Sequence, residues 1–318
     1  MTATFPQRTR RPFVAFRGWP LPVLWLAAIG LPNSAHANEI AILKSADIAP
    51  YNQAIDSFKA VLTTGNTFVE HDLQGDVARG RKLAPKIRAS DASLVLAVGV
   101  KAALVAKLEL PDIPVIFCMV LDPAKHDLSA PNMTGVLLEV PIERQLATMR
   151  SVLPGRRKIG LLYDPEKSAR LVQEARRQAK ELNLELVERQ VASERDVPAS
   201  LRALLPAIEA LWLLPDSTVL NEESIKFLLS TALDSNLPVI GFSSDLVRRG
   251  ALAGLSVRYD DVGRQAGQLA RRILSGQPVP FSTVVPPDQV QLSLNLKTAR
   301  FLRITIPPEV VDRANEVY

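Results

Sequence analysis

The groups in this sequence that could do chemistry sit in six short polar segments, each directly behind an apolar run. Ser45, Asp47 and Tyr51 follow IAIL (40–43), Gly99 and Val100 follow LVLAV (94–98), and Asp122 follows PVIFCMV (114–120). Tyr163 closes KIGLLY (158–163) ahead of Asp164. Asp216, Ser217 and Thr218 follow ALWLL (210–214), and Ser243, Ser244 and Asp245 follow PVIGF (238–242). This is recognition chemistry. A carboxylate holds an ammonium through charge-assisted hydrogen bonds, free amides at a helix start hold an anion, and tyrosine adds flat apolar area with a polar tip. Each position also has a local reading. Ser, Thr and Asp are preferred helix caps, so Asp216 or Ser217 can simply start a helix, and Asp122-Pro123 and Asp164-Pro165 are turn dipeptides.

Groups suited to bond-making are sparse. His71 and His126 lack a partner at metal-ligand spacing and read as exposed loop residues. The sequence contains no G-x-G-x-x-G, P-loop or G-x-S-x-G pattern. Cys118, the only cysteine, lies inside VIFCMV, so no intramolecular disulfide can form and a buried structural thiol is expected. No catalytic residue, metal or cofactor is expected. A Rossmann-like enzyme remains an alternative, because distant residues can converge.

The elements that must position these segments alternate strictly. Between the strand-like runs lie amphipathic stretches at 51–62, through Leu83 and Ile87, and at 101–108, 168–182, 197–205 and about 222–233, with further strands at FVEHDL (68–73) and LELVE (184–188). Strand–helix alternation predicts βαβ units and parallel sheets, and ligands in such sheets bind beyond the strand carboxyl ends. The two halves run alike. VEHDLQGD…LVLAVG (69–99) is matched by VERQVASE…ALWLLP (187–215), and each half continues to Pro-Val-Ile, at Pro114 and Pro238. We read two similar α/β lobes facing one polar cleft. The first crossing between them is expected in NMTGVLLEV (132–140), around Gly135. The carboxyl-terminal part departs from the repeat, with a strand and helix in 256–276, a strand at 290–295 and helical pieces to the end, and can cross back to complete both lobes. Tyr259 lies at the last crossing.

Residues 1–37 are set apart. Arg8, Arg10, Arg11 and Arg17 precede the apolar run at 20–32, and Ala35 and Ala37 form an A-x-A site. This is the form of a secretory signal peptide with cleavage after Ala37, and Thr9–Phe13 leaves both general and twin-arginine export open. The whole chain has 38 Lys+Arg against 33 Asp+Glu; removing four Arg leaves 34 against 33, a net of +1. The mature chain therefore lacks the basic field that nucleic-acid binding uses.

In the order and spacing of IAILKSADIAPYNQAIDSF, LVLAVGVKAAL, IPVIFCMVLDP, NMTGV, LPGRRKIGLLYDP, ALWLLPDSTV, PVIGFSSDLVRRGALAGLSVRYDDVGRQAG and SLNLKTARFLRITIP, the mature chain resembles the substrate-binding proteins of ABC transporters, in the tryptophan/tyrosine-type group. The resemblance implies a type I periplasmic-binding fold: two Rossmann-like lobes with parallel sheets, joined by a three-strand hinge. The lobes are expected to span 38–135 plus about 259–285, and 136–258 plus about 286–318. By position, the implied ligand contacts are Ser45 with Tyr51, the Gly99 turn, Asp122, Asp216 to Thr218, Ser243 and Ser244. Tyr163 is added from its place at a strand end. Val100 stands where many members carry a hydroxyl, which removes one hydrogen bond from the first lobe. The implied function is capture of a small organic ligand, an amino acid or related molecule, for an ABC permease, in the periplasm, by a monomer. The alternative is a periplasmic sensing module for a membrane receptor.

Overall fold

Apolar runs that alternate with amphipathic stretches build two sheets, each covered on both faces. The computed structural model describes Met1, Thr2 and residues 38–318. The expected signal segment and its cleavage site after Ala37 lie essentially outside the described residues. The first sheet begins with β1 (Asn38–Lys44), α1 (Ala49–Val61), β2 (Asn66–Asp72), α2 (Val77–Arg88), β3 (Ala92–Val98), α3 (Val100–Glu109), β4 (Val115–Cys118) and β5 (Met133–Val136). The chain then crosses to α4 (Ile142–Val152), β6 (Lys158–Tyr163), α5 (Pro165–Glu181), β7 (Glu185–Gln190), α6 (Val197–Leu204), β8 (Ala210–Trp212), α7 (Glu222–Asp234), β9 (Val239–Gly241), α8 (Ser244–Arg248) and β10 (Ala253–Ser256). It returns with α9 (Tyr259–Leu274) and β11 (Thr283–Val285), and leaves again for β12 (Gln291–Leu294), α10 (Leu296–Phe301), α11 (Pro308–Val311) and β13 (Glu316–Val317).

The strand orders are β11-β5-β4-β3-β1-β2 and β13-β12-β10-β9-β8-β6-β7. Five consecutive strands thus repeat one topology, β1 to β5 in one sheet and β6 to β10 in the other. Val69 and Val187, the matched positions of the two halves, pair with Ala41 and Gly160 on the equivalent strands β1 and β6. The ladders are parallel except β10 with β12. Burial on both faces explains the unbroken apolar runs. In the first sheet Ile40, Ile42, Leu94 and Leu96 pack into a core with α1 and α9, while Ala41, Leu43, Val95 and Ala97 pack on the other face with α2 and α3. Return of α9 to this sheet needs a glycine: a Cβ at Gly263 would lie 2.0 Å from the Ala54 carbonyl oxygen, so α9 meets α1 backbone to backbone.

Three sequence expectations shift. Gly135 lies inside β5, opposite Phe117 and Val284, and the first crossing starts after Val136. No charge interrupts Met133–Leu138, which runs through both strand and crossing, so the pattern does not mark the boundary. β4 stops at Cys118 because Met119 turns the chain at φ +58°. His71 sits on β2, half-buried rather than in a loop, and burial pushes its imidazole pKa down. Among the described residues no helix is long and apolar enough to cross a membrane.

Candidate functional site

A cleft of about 610 Å³ lies where both sheets present strand ends and crossings. Its walls are the turn after β4 (Leu121–Ala124), one face of α5, and the segments behind β8 and β9. The first crossing and the β10-to-α9 crossing run through it, so each of its sides belongs to a different part of the chain. Most of the surface is apolar, from Leu138, Val140, Leu171, Leu214, Phe242, Leu255 and Val257. Tyr259, on the second crossing, keeps 38% of its surface exposed.

Charge enters at four places. Arg170 of α5 reaches across to Asp122, with Nε donating to Oδ2 at 3.2 Å and Nη2 to Oδ1. Asp122 sits at φ +43°, a left-handed turn position, and also accepts from the Lys125 amide at 3.3 Å. Glu174, one turn further along α5, is held by Arg177 and by Gln178 at 3.0 Å, and these bonds lower its carboxyl pKa. Glu139, on the first crossing, forms no ion pair among the described residues. Burial raises its carboxyl pKa, the Asp122 carboxylate adds to this, and the Asp122 amide and the Arg170 charge oppose it.

The residues singled out in the sequence divide into three groups. Asp122 and Ser243 line the cleft, and Ser243 also caps α8 by accepting from the Leu246 amide at 3.3 Å. Ser45, Tyr51 and Gly99 come together at the carboxyl ends of β1 and β3. Ser45 Oγ accepts from the Ala102 amide at 2.9 Å, and Gly99, at φ +86°, passes close to both side chains. Burial raises the Tyr51 phenol pKa, and the adjacent Cys118 thiol is itself pushed up to about 12 by burial.

The third group serves the second sheet internally. Asp216 is 1% exposed. Its carboxylate accepts from the Asp164 amide (2.9 Å), the Ser168 hydroxyl (2.7 Å) and the amides of Thr218 (3.0 Å) and Val219 (3.3 Å). Thr218 Oγ1 donates to Asp164 at 2.6 Å, so the ends of β6 and β8 are braced in both directions. The Tyr163 hydroxyl accepts from Gln190 at 3.0 Å, within the sheet. Ser217 is exposed and meets Lys167 at 3.2 Å, and Ser244 opens the short helix α8.

Glu139 and Arg170 escaped the sequence reading. Arg170 is one of several charged positions on an amphipathic helix, and nothing local distinguishes it. Glu139 did leave a signal, as a lone carboxylate between Leu137–Leu138 and Val140 in the segment expected to cross between lobes.

Two like parallel sheets that share a cleft at their strand ends define the fold of a periplasmic-type solute-binding protein. Residues 59–318 match the model of the ABC transporter substrate binding protein family, and the chain belongs to that family. A tyrosine-binding protein of Clostridioides difficile is 26% identical over 237 residues, covering 72% of this chain and 68% of that protein. Among solved structures, a ligand-free, open substrate-binding protein with adhesive properties from Clostridium difficile superposes with TM-score 0.76 at 21% identity, covering 88% of this chain and 99% of that one. The ABC domain of a Streptococcus pneumonia protein in complex with L-Trp gives TM-score 0.60 at the same identity and coverage. These likenesses establish the type I periplasmic-binding fold.

Proposed function

We propose that this chain captures a small organic ligand, an amino acid or a related molecule, in the cleft between its sheets and delivers it to an ABC permease. The carrying observation is the cleft itself, walled by loops from both sheets and crossed by the segments that join them. Changes in backbone angle at these crossings would bring the walls together, and a ligand that touches both walls favours the closed arrangement by its differential affinity. No bond is made or broken. The lobes of this cycle are 38–135 with about 259–285 and 136–258 with about 286–318. In this reading the signal is cleaved after Ala37 and the mature protein works as a periplasmic monomer. Asp122 and Ser243 meet the ligand from the two walls, the Ser45–Tyr51–Gly99 cluster completes the first wall on closure, and Asp216 braces the second.

The experiment is a thermal-shift screen of amino acids, amines, sugars and small carboxylates on the mature protein, followed by small-angle scattering with any hit. A ligand that binds only the native state raises apparent stability. The expected result is a higher melting temperature together with a smaller radius of gyration. An unchanged radius at saturation would count against closure.

A further inference from the structure

We infer that the ligand is an apolar organic cation, an amine without a compensating carboxylate, and that Glu139 is the residue that recognises its charge. This rests on the cleft being the ligand site.

The charge count of the walls is one-sided. Asp122, Glu139 and Glu174 bring three carboxylates, and Arg170 is the single Lys or Arg among the lining residues, so the formal balance is −3 + 1 = −2. Three of these four groups are already engaged. Arg170 and Asp122 neutralise each other through paired hydrogen bonds, and Glu174 is held by Arg177. Glu139 is half-buried between apolar residues of the first crossing, with the Asp122 carboxylate beside it, and the one cation that acts on it, Arg170, is already paired with Asp122. A carboxylate so placed is costly until an opposite charge arrives, and a ligand ammonium both supplies that charge and forms a charge-assisted hydrogen bond.

The residues that line the cleft offer little to a ligand carboxylate; the Ser45–Tyr51–Gly99 cluster, which joins the first wall only on closure, lies outside this lining. Arg170 would have to abandon Asp122 to meet one. The amide of Leu246 on α8, behind β9, is already occupied by the Ser243 hydroxyl. The rest of the surface suits an apolar body, and the rings of Tyr259 and Phe242 can face a cation as well as stack on an apolar group. The cleft therefore separates an amine from the amino acid that has the same side chain.

Matched probes test this by calorimetry on the mature protein: phenethylamine, tryptamine and isoamylamine, the amino acids phenylalanine, tryptophan and leucine, and the carboxylates phenylacetate and isovalerate. An amine is expected to bind more tightly than its amino acid, with the carboxylates weakest. Glu139→Gln should weaken amine binding by at least about tenfold, and Glu139→Asp should recover part of the loss. The thermal melt of each variant shows that it is folded. Amino acids or carboxylates binding as tightly as the amines, or an unchanged amine affinity in Glu139→Gln, overturns the inference while leaving the solute-capture reading intact. Absence of binding by every class, with no change in radius of gyration, overturns both.

Discussion

Arg170 on α5 clasps Asp122 behind β4 through two parallel hydrogen bonds, so an ion pair ties the second sheet to the first across the cleft. The guanidinium side chain is 54% exposed and the carboxylate 18%. A pair this wet contributes about 0–1 kcal/mol to global stability. Its effect on the separation of the sheets should exceed its effect on folding. Arg170→Ala is expected to lower stability by less than about 1 kcal/mol and to increase the ligand-free radius of gyration. Molar salt, which screens exposed pairs, should shift the parent in the same direction and leave the variant unmoved. Equal radii for parent and variant in low salt would show that the pair does not tether the sheets.

Glu139 sets a pH dependence whose sign follows from its environment. Burial raises its carboxyl pKa above the ordinary 4.5, so the folded chain holds its proton more tightly than the unfolded chain does. The cost of the half-buried charge is fully present above the folded pKa, shrinks as pH falls through it, and is gone below the unfolded value. Glu139→Gln should therefore melt higher than the parent at neutral pH, with the two curves converging in acid. Amine affinity should move oppositely in the parent, falling as pH drops through the same window, because the ligand needs the carboxylate ionised. Parallel melting curves across the acid range, or an affinity flat in pH, would refute this linkage.

Asp216 illustrates how a group chosen for recognition can be consumed by the fold. Four donors from the ends of β6 and β8 converge on its buried carboxylate. Asp216→Ala strands those donors, and the expected loss is about 2–4 kcal/mol in urea unfolding. Ligand affinity of the folded fraction should stay near that of the parent. A variant of parental stability that no longer binds would return Asp216 to the ligand.

The architecture was legible because the central strands of both sheets are buried on two faces, which writes those strands as apolar runs and most of the covering helices as stripes. The repeat of strand order was legible for the same reason. The site was legible only at the level of strand ends. Polar residues at those ends cap, brace and bind with the same side chains, and sequence cannot say which: Ser243 caps and lines the cleft, Asp216 braces, Asp122 pairs with Arg170. That last pairing joins helix and turn 48 residues apart beside different sheets, a relationship with no local pattern. The crossings were the least legible part, since Met133–Val136 and the residues that follow are equally apolar whether they pair in a sheet or leave it.

Gly99 tests the first wall. Its φ of +86° is a region L side chains rarely adopt, and a Cβ there would stand 2.6 Å from the Tyr51 hydroxyl and 2.7 Å from Ser45 Oγ. Gly99→Ala combines backbone strain with that crowding, and the expected cost is about 1–3 kcal/mol. The two contributions can be separated. Tyr51→Phe removes the nearest atom, so Gly99→Ala should cost less in the Tyr51→Phe background than alone, while the φ penalty persists in both. A double-mutant cycle by urea unfolding reads the coupling directly. Strict additivity would mean that Tyr51 moves aside freely and that strain alone keeps glycine at this turn.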